Sequence, residues 1–371
     1  MSTLIILPTP LPAAADLRNH DTVLVLGLGD LGRRIAVGMA CSSRTGSIVL
    51  AGRDCEVTRS HVRMITACTS KQVQHNTVDG LDSVALRELI ERVQPRVIVQ
   101  CASLLSPWNL HERTDRLAGA MRKAGFALQL SAQLPVVTAL MRAVRASGIP
   151  CAVVNCSYPD VTHPVLAAQG LAPDIGIGNA GMVLGLVRAA LGPQAQPVRV
   201  LAHHAHVGPI VSATRTSLLT CVPRVFVGER EVSNIDFLFA GQSIAMNREL
   251  NILSAAHALA IIDAMLPDAR ALETSAPGPL GLAGGWPVRI VNGHISLDLP
   301  KVVSQSECNA FQQIAARADG IERIDSDGTT HFTEWLREQL PADHRNLALP
   351  LHPDAALERH RQLKRALNAL P

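Results

Sequence analysis

Aromatic residues are scarce in this sequence. Phe, Trp and Tyr make up 3% of its 371 residues, and tyrosine occurs once, at Tyr158. Hydrophobic residues still reach 47%, so aliphatic side chains must fill the core. A strong charge of one sign is also missing: the net charge is +3 and the basic residues are dispersed, which excludes the basic surface of a nucleic-acid-binding protein. No apolar run reaches the roughly 18 residues of a membrane-spanning helix, so we expect neither nucleic acid nor membrane as a partner.

The eight cysteines show no CxxC spacing, and several lie inside apolar runs such as VIVQCAS. This pattern is typical of reduced, mostly buried thiols in a cytosolic protein. The N-terminal segment MSTLIILPTPLPAAADLRNH has no basic region, and three prolines interrupt its apolar part. We therefore expect no signal peptide and a cytoplasmic location.

From residue 21 to 157, short β-rich runs alternate with helical segments. The runs are TVLVLGLG, SIVLAGRD, KQVQHNTVDG, RVIVQCAS and CAVVNCS. Strict alternation implies parallel strands joined by helical crossovers, which predicts an α/β fold with a doubly wound parallel Rossmann sheet. We assign residues 1–160 to a dinucleotide-binding domain and 161–371 to a mixed α+β domain for substrate binding and dimerisation. In the latter, VRVLAHHAHVGPIV has the pattern of a strand, and Asn292-Gly293 predicts the turn of a hairpin.

The stretch VLVLGLGDLGRRIAVGMA places a GxGxxG motif between an apolar strand and a helix. In that setting Gly27 allows the tight turn, Gly29 lets a pyrophosphate approach the backbone, and Gly32 lets the helix contact the strand. The backbone at Asp30 and Leu31, where the helix starts, would face the phosphates. The alternative is a glycine-rich strand-to-helix turn that holds no nucleotide.

The end of the second predicted strand, SIVLAGRD, indicates which dinucleotide is bound. Small residues followed by Arg53 suit the 2′-phosphate of NADP(H), which we therefore favour. NAD(H) is the alternative, because a carboxylate, Asp54, comes next. Asp79, after the third strand, either contacts the adenine edge or forms a turn. Ala102 and Ser103, at the end of the fourth strand, should line the pyrophosphate and the nicotinamide ribose by topology.

With these segments placed, the order of landmarks resembles that of the lactate/malate dehydrogenase superfamily. ALQLSAQLPVVTALMRAVRASGIPCAVVNCSYPDVTH looks like the family's helix and the strand that ends in its Asn-Pro motif, and VRVLAHHAHVGP lies where the family has its catalytic histidine loop. The resemblance implies a Rossmann NAD(P)-dependent dehydrogenase that acts on a small molecule as a homodimer or tetramer. It places His204 on the family's proton-transferring histidine. Asn155 or Ser157 takes the place of the motif's asparagine, and we assign Asn155 to the cofactor.

The sequence departs from the family where the substrate is held. GNAGMVLGLVR puts Gly181 and Leu184, or their neighbours, where the family has an aspartate paired with the histidine and a substrate-binding arginine. Neither residue can take such a role. The family's fold and cofactor are therefore better expectations for this chain than its simple 2-hydroxy acid substrates.

Three histidines in AHHAHV are the candidates for proton transfer. Imidazole suits this role because its charge changes near neutral pH. On a strand, His204 and His206 would share one face while His203 points away, so we predict His204 as the acid/base and His206 as its orienting partner or a substrate contact. One alternative is that these histidines only hydrogen-bond in a domain interface. Another is a metal site, which we do not predict because no further ligand lies nearby in the sequence.

Tyr158 and Asp160 follow the last strand of the nucleotide domain, at the edge where such sheets bind ligands. Tyr158 is a candidate proton donor, with a packed ring as the alternative. Asp160 is a candidate N-cap for a helix that begins at residue 162 or 164.

Together these patterns predict an NADP(H)-preferring dehydrogenase or reductase that transfers hydride to or from a carbonyl or imine group of a small metabolite. One alternative is a redox sensor that binds NADP(H) without turnover. The other is an opine- or amino-acid-type dehydrogenase, in which the imine supplies its own proton chemistry.

Overall fold

A parallel sheet of six strands forms the centre of the first part of the protein. The computed structural model describes residues 21–42, 44–214 and 221–368, so the N-terminal segment, for which we expect no signal peptide, lies outside the described residues. The strands are β1 (Thr22–Leu26), β2 (Ser47–Gly52), β3 (Gln72–Thr77), β4 (Val97–Gln100), β5 (Ala152–Asn155) and β6 (Ile175–Gly176). Their order is β3-β2-β1-β4-β5-β6 and every pair is parallel, which confirms the predicted doubly wound Rossmann sheet.

Helices cover both faces of this sheet. They are α1 (Asp30–Cys41), α2 (Cys55–Thr66), α3 (Ser83–Val93), α4 (Pro107–Glu112), α5 (Arg116–Ala124), α6 (Leu130–Ser147) and α7 (Pro159–Ala167). Because side chains alternate along a strand, Val97 and Val99 of β4 join the core on the α1 side, while Ile98 joins the core on the α6 side. The apolar segment Ala127–Ser147 is long enough to cross a membrane by composition, but 83% of its apolar window is buried inside the protein.

The second part combines smaller antiparallel sheets with the remaining helices. Its strands are β7 (Val198–Leu201), β8 (Arg224–Val227), β9 (Arg230–Glu231), β10 (Leu272–Pro277), β11 (Gly285–Val291), β12 (His294–Leu297), β13 (Ile321–Ile324) and β14 (Thr330–Phe332). Its helices are α8 (Asn179–Leu191), α9 (His204–Val211), α10 (Asn251–Met265), α11 (Gln305–Ala318), α12 (Glu334–Gln339) and α13 (Ala356–Asn368). The strands pair as β7-β8-β9, β10-β11-β12 and β13-β14, which confirms the mixed α+β character. Asn292 (φ 51°) and Gly293 (φ 77°) form the predicted turn between β11 and β12.

The predicted boundary at residue 160 does not divide these parts cleanly. The last strand of the parallel sheet, β6, lies beyond it and pairs with β5. The C-terminal helix α13 returns to the first part, where Leu363 and Leu367 share a core with Leu140 of α6. In the same region of the chain, α11 ends next to the carboxyl edge of the parallel sheet and brings Asp319 to the cavity there. Segments far apart in sequence therefore complete one site.

Candidate active site

A cavity of about 810 Å³ lies at the carboxyl ends of the parallel strands, where the strand order reverses between β1 and β4. Doubly wound sheets bind their ligands at this point. The predicted residues that line the cavity are Gly27, Gly29, Asp30, Leu31, Gly32, Arg53, Asp79, Ala102, Ser103, Tyr158 and His204. Asn155 and His206 are not among the lining residues, although both were predicted to belong to the site.

The three glycines of the loop after β1 have different surroundings. Gly27 has φ +97°, and a Cβ there would lie 2.5 Å from the amide nitrogen of Ala102. A Cβ on Gly32 would lie 2.0 Å from the carbonyl oxygen of Gly27. A Cβ on Gly29 would meet no protein atom within 4 Å. The fold itself therefore requires Gly27 and Gly32, whereas the space beside Gly29 opens into the cavity and has room for a phosphate.

The first turn of α1 adds positive potential to this loop. The amide of Arg33 bonds to the Gly29 carbonyl at 3.0 Å, and the amides before it point out of the helix end, as at any helix N-terminus. The carboxylate of Asp30 accepts hydrogen bonds from Arg34 and Asn251, each at 2.8 Å. Partial burial opposes ionisation of this carboxyl, but those bonds outweigh burial and lower the pKa of Asp30. Arg34 thus balances the negative charge of Asp30 beside the loop.

The loops after β2 and β3 border the cavity on one side. Arg53 is exposed there, and within the described residues its guanidinium makes no hydrogen bond or ion pair. Asp54 caps α2 by accepting the Val57 amide at 3.0 Å. Asp79 accepts the Leu81 amide at 3.0 Å, which is the turn-forming alternative.

The loops after β4 and β5 form the cavity floor. Ser157 lines it and donates a hydrogen bond to the Ala102 carbonyl at 3.0 Å. Asn155 is fully buried instead: its Nδ2 donates to Thr162 at 3.2 Å, and its Oδ1 accepts the Ser157 amide at 3.0 Å. The assignment of Asn155 to the cofactor is therefore corrected, because its amide fixes the turn after β5 and it is Ser157 that reaches the cavity.

The histidine stretch does not form a strand. β7 ends at Leu201, and α9 begins at His204 with His203 as its N-cap. His206 Nδ1 accepts the His203 amide at 2.9 Å, and the ring stacks on Phe311 with centroids 5.8 Å apart. Burial lowers the pKa of His206 to about 3. His206 thus caps a helix inside the core, and its predicted role as partner of His204 is wrong.

His204 has a different partner, Asp319, which follows α11. Its Nδ1 lies 3.0 Å from Asp319 Oδ2 and 3.1 Å from Oδ1, so Nδ1–H donates to the carboxylate. The same carboxylate accepts the Tyr158 hydroxyl at 2.5 Å and the Phe126 amide at 3.2 Å. The side chain of His204 is 28% exposed and lines the cavity, whereas that of Asp319 is 4% exposed. The second ring nitrogen, Nε2, is therefore the one on the cavity side.

Charge and burial set the protonation of this group. Burial opposes the charge on Asp319, but His204 and the Tyr158 hydroxyl hold the pKa of that carboxyl far below its ordinary value. Burial also opposes the imidazolium, yet attraction to Asp319 raises the pKa of His204. Burial and the neighbouring Asp319 raise the pKa of Tyr158 well above its ordinary value. Tyr158 therefore stays protonated and holds Asp319, in place of the direct proton donation that the sequence suggested.

Two further contacts orient His204. Asp160 Oδ1 accepts the His204 amide at 3.0 Å, and its other oxygen accepts a hydrogen bond from Asn179. The N-cap prediction for Asp160 is wrong, because α7 begins at Pro159 and Asp160 lies in its first turn. The Phe126 ring packs on the His204 ring with centroids 4.5 Å apart. Backbone, ring edge and ring face of His204 are thus all fixed.

At the substrate end of the cavity, the described residues leave no arginine unengaged for a carboxylate, and Lys123 is the remaining basic lining residue. Gly181 packs against His257, whose Cε1 would be 2.3 Å from a Cβ on Gly181, and Leu184 is buried in the core of the second part. Both cavity arginines at this end are engaged by the chain itself: Arg122 donates to the carbonyls of Leu110 and Arg113, and Arg248 pairs with Glu112 at 2.8 Å. Trp108, Phe126 and Met182 supply apolar surface. Within the described residues, no group of three or more His, Cys, Asp or Glu side chains is arranged to hold a metal.

Comparisons with known proteins give fold neighbours alone. No family model and no curated protein matches the chain. Among solved structures, a lactate dehydrogenase from a Medee basin deep-sea metagenome library is similar, with 12% identity, 80% of this chain and 96% of the other covered, and a TM-score of 0.48. Malate dehydrogenase from Plasmodium falciparum has 11% identity, coverage of 80% and 98%, and a TM-score of 0.48. Minor L-lactate dehydrogenase from Enterococcus mundtii has 14% identity, coverage of 80% and 95%, and a TM-score of 0.46.

Proposed function

We propose that the protein is an NADP(H)-dependent oxidoreductase that transfers hydride to or from a carbonyl or imine carbon of a small metabolite. One observation carries this proposal: a single cavity joins a glycine loop with room for a phosphate to a histidine whose Nδ1 is held by a buried aspartate. When bound, the nicotinamide supplies or accepts the hydride. The residues that would hold the dinucleotide are those of the Gly27–Gly32 loop, Arg53, Ala102, Ser103 and Ser157.

His204 would move the proton that accompanies the hydride. With Nδ1–H donated to Asp319, Nε2 is free to give a proton to the substrate oxygen or nitrogen during reduction, or to take one during oxidation. Asp319 stabilises the imidazolium and fixes the tautomer, as the carboxylate does in other Asp–His pairs. Tyr158 and the Phe126 amide keep Asp319 in place. Tyr158 and Asp319 are thus positioning residues, and His204 is the catalytic one.

The lining favours a substrate whose reacting group carries apolar substituents. Trp108, Phe126 and Met182 lie in the same cavity as His204, and Arg122 and Arg248 are already bonded to the chain, whereas Lys123 lines the cavity without a partner among the described residues. A 2-oxo acid is best held by an unengaged arginine, whose two parallel hydrogen bonds to a carboxylate the single ammonium group of Lys123 does not supply. We therefore propose a neutral ketone, aldehyde or imine in place of a simple 2-hydroxy acid or its oxo form.

The alternatives rested on the lack of an aspartate beside the histidine. Asp319 supplies that carboxylate from another part of the chain, so neither a cofactor sensor without turnover nor an imine that needs no protein acid is required to explain the site. A screen separates the three: NADPH absorbance is followed with neutral ketones, aldehydes, cyclic imines and 2-oxo acids, each with and without ammonia. We expect turnover with neutral carbonyls or imines. Measurable NADPH binding without turnover on any compound would favour the sensor, and ammonia-dependent turnover would favour the opine type.

The preference for NADP(H) is assigned to Arg53. Its guanidinium is exposed and unpaired within the described residues, whereas Asp54 is used as a helix cap, so the end of β2 presents a positive group to a 2′-phosphate. Replacing Arg53 by alanine should raise the NADPH dissociation constant by about 10- to 100-fold, the loss of a charge-assisted hydrogen bond, and leave that of NADH within about twofold. Titration calorimetry with both nucleotides measures this. Arg63→Ala, an exposed arginine on α2 away from the cavity, is the control; equal losses for both nucleotides in Arg53→Ala would contradict the assignment.

Gly29 tests whether the loop holds a phosphate at all. Its φ of −66° suits any residue, and a Cβ there meets no protein atom within 4 Å, so Gly29→Ala should still fold, at a small cost because alanine is a poorer N-cap than glycine. The added methyl group occupies the space through which a pyrophosphate approaches the backbone, and we expect NADPH affinity to fall by at least about tenfold. Gly185→Ala is the control, since a Cβ on Gly185, inside α8, also meets no protein atom within 4 Å and Gly185 lies outside the cavity. Unchanged NADPH affinity in Gly29→Ala would remove the loop from nucleotide binding.

A further inference from the structure

Two cysteines lie side by side on the cavity floor. Cys101 follows β4 and Cys156 follows β5, and their Sγ atoms are 3.3 Å apart. Both are half-buried free thiols, and both line the cavity that would hold the dinucleotide. A small oxidant can therefore reach them through the same opening as the cofactor. The proposed hydride chemistry uses neither sulfur.

The backbone already has the geometry of a disulfide. Gln100 pairs with Asn155 in the parallel register, and the Cys156 amide donates to the Gln100 carbonyl at 2.8 Å, so the two cysteines occupy neighbouring positions on adjacent strands. Adjacent strands lie about 4.8 Å apart, within the Cα separation of roughly 4.4–6.8 Å that disulfides span. The side chains also share a face, because Cys101 and Cys156 both pack against the core on the α1 side. Closing the bond requires the sulfurs to approach by little more than about 1 Å.

We propose that Cys101 and Cys156 form a reversible disulfide in the cofactor cavity, and that this modification weakens the binding of NADP(H). The oxidant is a peroxide. The Cys101 sulfur attacks one peroxide oxygen, giving the sulfenic acid and one water. The Cys156 sulfur then attacks the Cys101 sulfur, the S–S bond forms, the S–O bond breaks, and the thiol proton leaves with the hydroxide as a second water. A dithiol reductant reverses the reaction by exchange.

The order of attack follows from the environments of the two thiols. Burial, together with the contact to Cys101, raises the pKa of the Cys156 thiol, so Cys156 is disfavoured as the thiolate that attacks the peroxide. Cys101 is therefore the sulfur that meets the peroxide, and Cys156 resolves the sulfenic acid.

The disulfide would move atoms that hold the nucleotide. The Cys101 Cβ lies 3.4 Å from where a Cβ on Gly32 would be, and the next residue, Ala102, contacts Gly27. The residue after Cys156 is Ser157, which bonds to the Ala102 carbonyl. Moving the two sulfurs together by about 1 Å thus changes how the cavity floor packs against the glycine loop. By linkage, bound NADP(H) should in turn disfavour the disulfide at equilibrium, because two states with different affinity are coupled reciprocally.

The experiment uses the full chain, reduced and then treated with hydrogen peroxide, with and without NADPH. Peptide mapping by mass spectrometry should find a Cys101–Cys156 crosslink that dithiothreitol removes. Less of the crosslinked peptide should be found when NADPH is present. We expect the crosslinked protein to bind NADPH roughly tenfold more weakly, about the effect of one lost hydrogen bond. In Cys156→Ser, a dimedone adduct should accumulate on Cys101. Cys151→Ser is the control, because Cys151 precedes β5 at the opposite edge of the sheet and outside the cavity, and this variant should still crosslink.

Two results would overturn the proposal: oxidation that ends at Cys101 sulfinic acid or links other cysteines, or a Cys101–Cys156 crosslink with unchanged NADPH affinity. The effect on binding rests on the proposed function, whereas the crosslink does not. If the reduced protein binds no pyridine nucleotide, the proposed function fails, and the peptide map still reports separately on the thiols.

Discussion

Replacing His204 by glutamine should lower kcat for the reduction of a substrate found in the screen by about 10²- to 10⁴-fold, the usual contribution of a positioned acid/base. The amide of glutamine can still form a hydrogen bond in the cavity, but it cannot release a proton near neutral pH. His204 donates its Nδ1–H to Asp319 and presents its other nitrogen to the cavity, so the loss should fall on the chemical step. Stopped-flow kinetics at saturating NADPH measures kcat, and calorimetry should give an unchanged NADPH dissociation constant.

A second histidine of the same cavity provides the control. His111 lines it too, but partial burial and the positive charge of Arg122 lower the pKa of His111, so its ring loses its proton at lower pH than the ring of His204. His111→Gln should therefore change kcat by less than about tenfold. Equal losses in both variants would mean that the cavity is merely disturbed. Full activity in His204→Gln would assign the proton transfer to another group.

The Rossmann half of the fold was accessible from the sequence because its signals are local. The β1–α1 glycine motif, the apolar strands and the Asn292-Gly293 turn each depend on residues within a few positions of one another. The prediction of a strand through the histidine stretch is wrong for the same reason. Its alternating pattern resembles a strand, and only the structure shows that His203 and His206 cap the start of α9, which a nearby Gly208-Pro209 makes a weak helix by propensity.

The partner of His204 could not be predicted, because Asp319 is 115 residues away in sequence. The pattern ARADGI around it is that of an ordinary exposed helix end, where an aspartate before a glycine carries no functional signal. What places Asp319 in the site is tertiary packing: the Phe126 amide binds its side chain, the Ala127 amide binds its carbonyl, and Gly125 leaves room for that carbonyl. The prediction that Asn155 contacts the cofactor is wrong for the opposite reason. A motif position suggested a ligand contact, but the fold uses the amide to hold a turn.

Asp319→Asn should lower kcat by about 10²- to 10⁴-fold, comparable to the loss of the carboxylate in other Asp–His pairs. Burial of His204 would remain while the attraction that raises its pKa disappears, so the pKa of His204 should fall below its ordinary value. The rate of reduction needs the protonated ring. In the unmodified protein the rate of reduction should decline as pH rises through the raised pKa of His204. In Asp319→Asn this decline should occur at lower pH. Imidazole NMR titration and the pH–rate profile measure the shift; an unmoved profile would contradict the role of Asp319.

The pH dependence of the stability of Asp319→Asn tests whether the Asp319 side chain acts through its charge or only through its packing. The Asp319 carboxyl, whose pKa is depressed, stabilises the fold above its ordinary pKa of 3.8, and that contribution is lost as pH falls through its folded value. The His204 ring, whose pKa is raised, contributes below its ordinary pKa of 6.5, and its contribution is lost as pH rises through its folded value. Both contributions are present together between the two ordinary pKa values. The difference in unfolding free energy between the unmodified protein and Asp319→Asn should therefore be largest in that pH range, as measured by urea denaturation.

Asp325→Asn removes the carboxylate of another Asp–His pair, with His331 at 2.7 Å, but that pair lies outside the cavity. Asp325→Asn should leave kcat unchanged, because a carboxylate must contact His204 to change the pKa of the ring that transfers the proton.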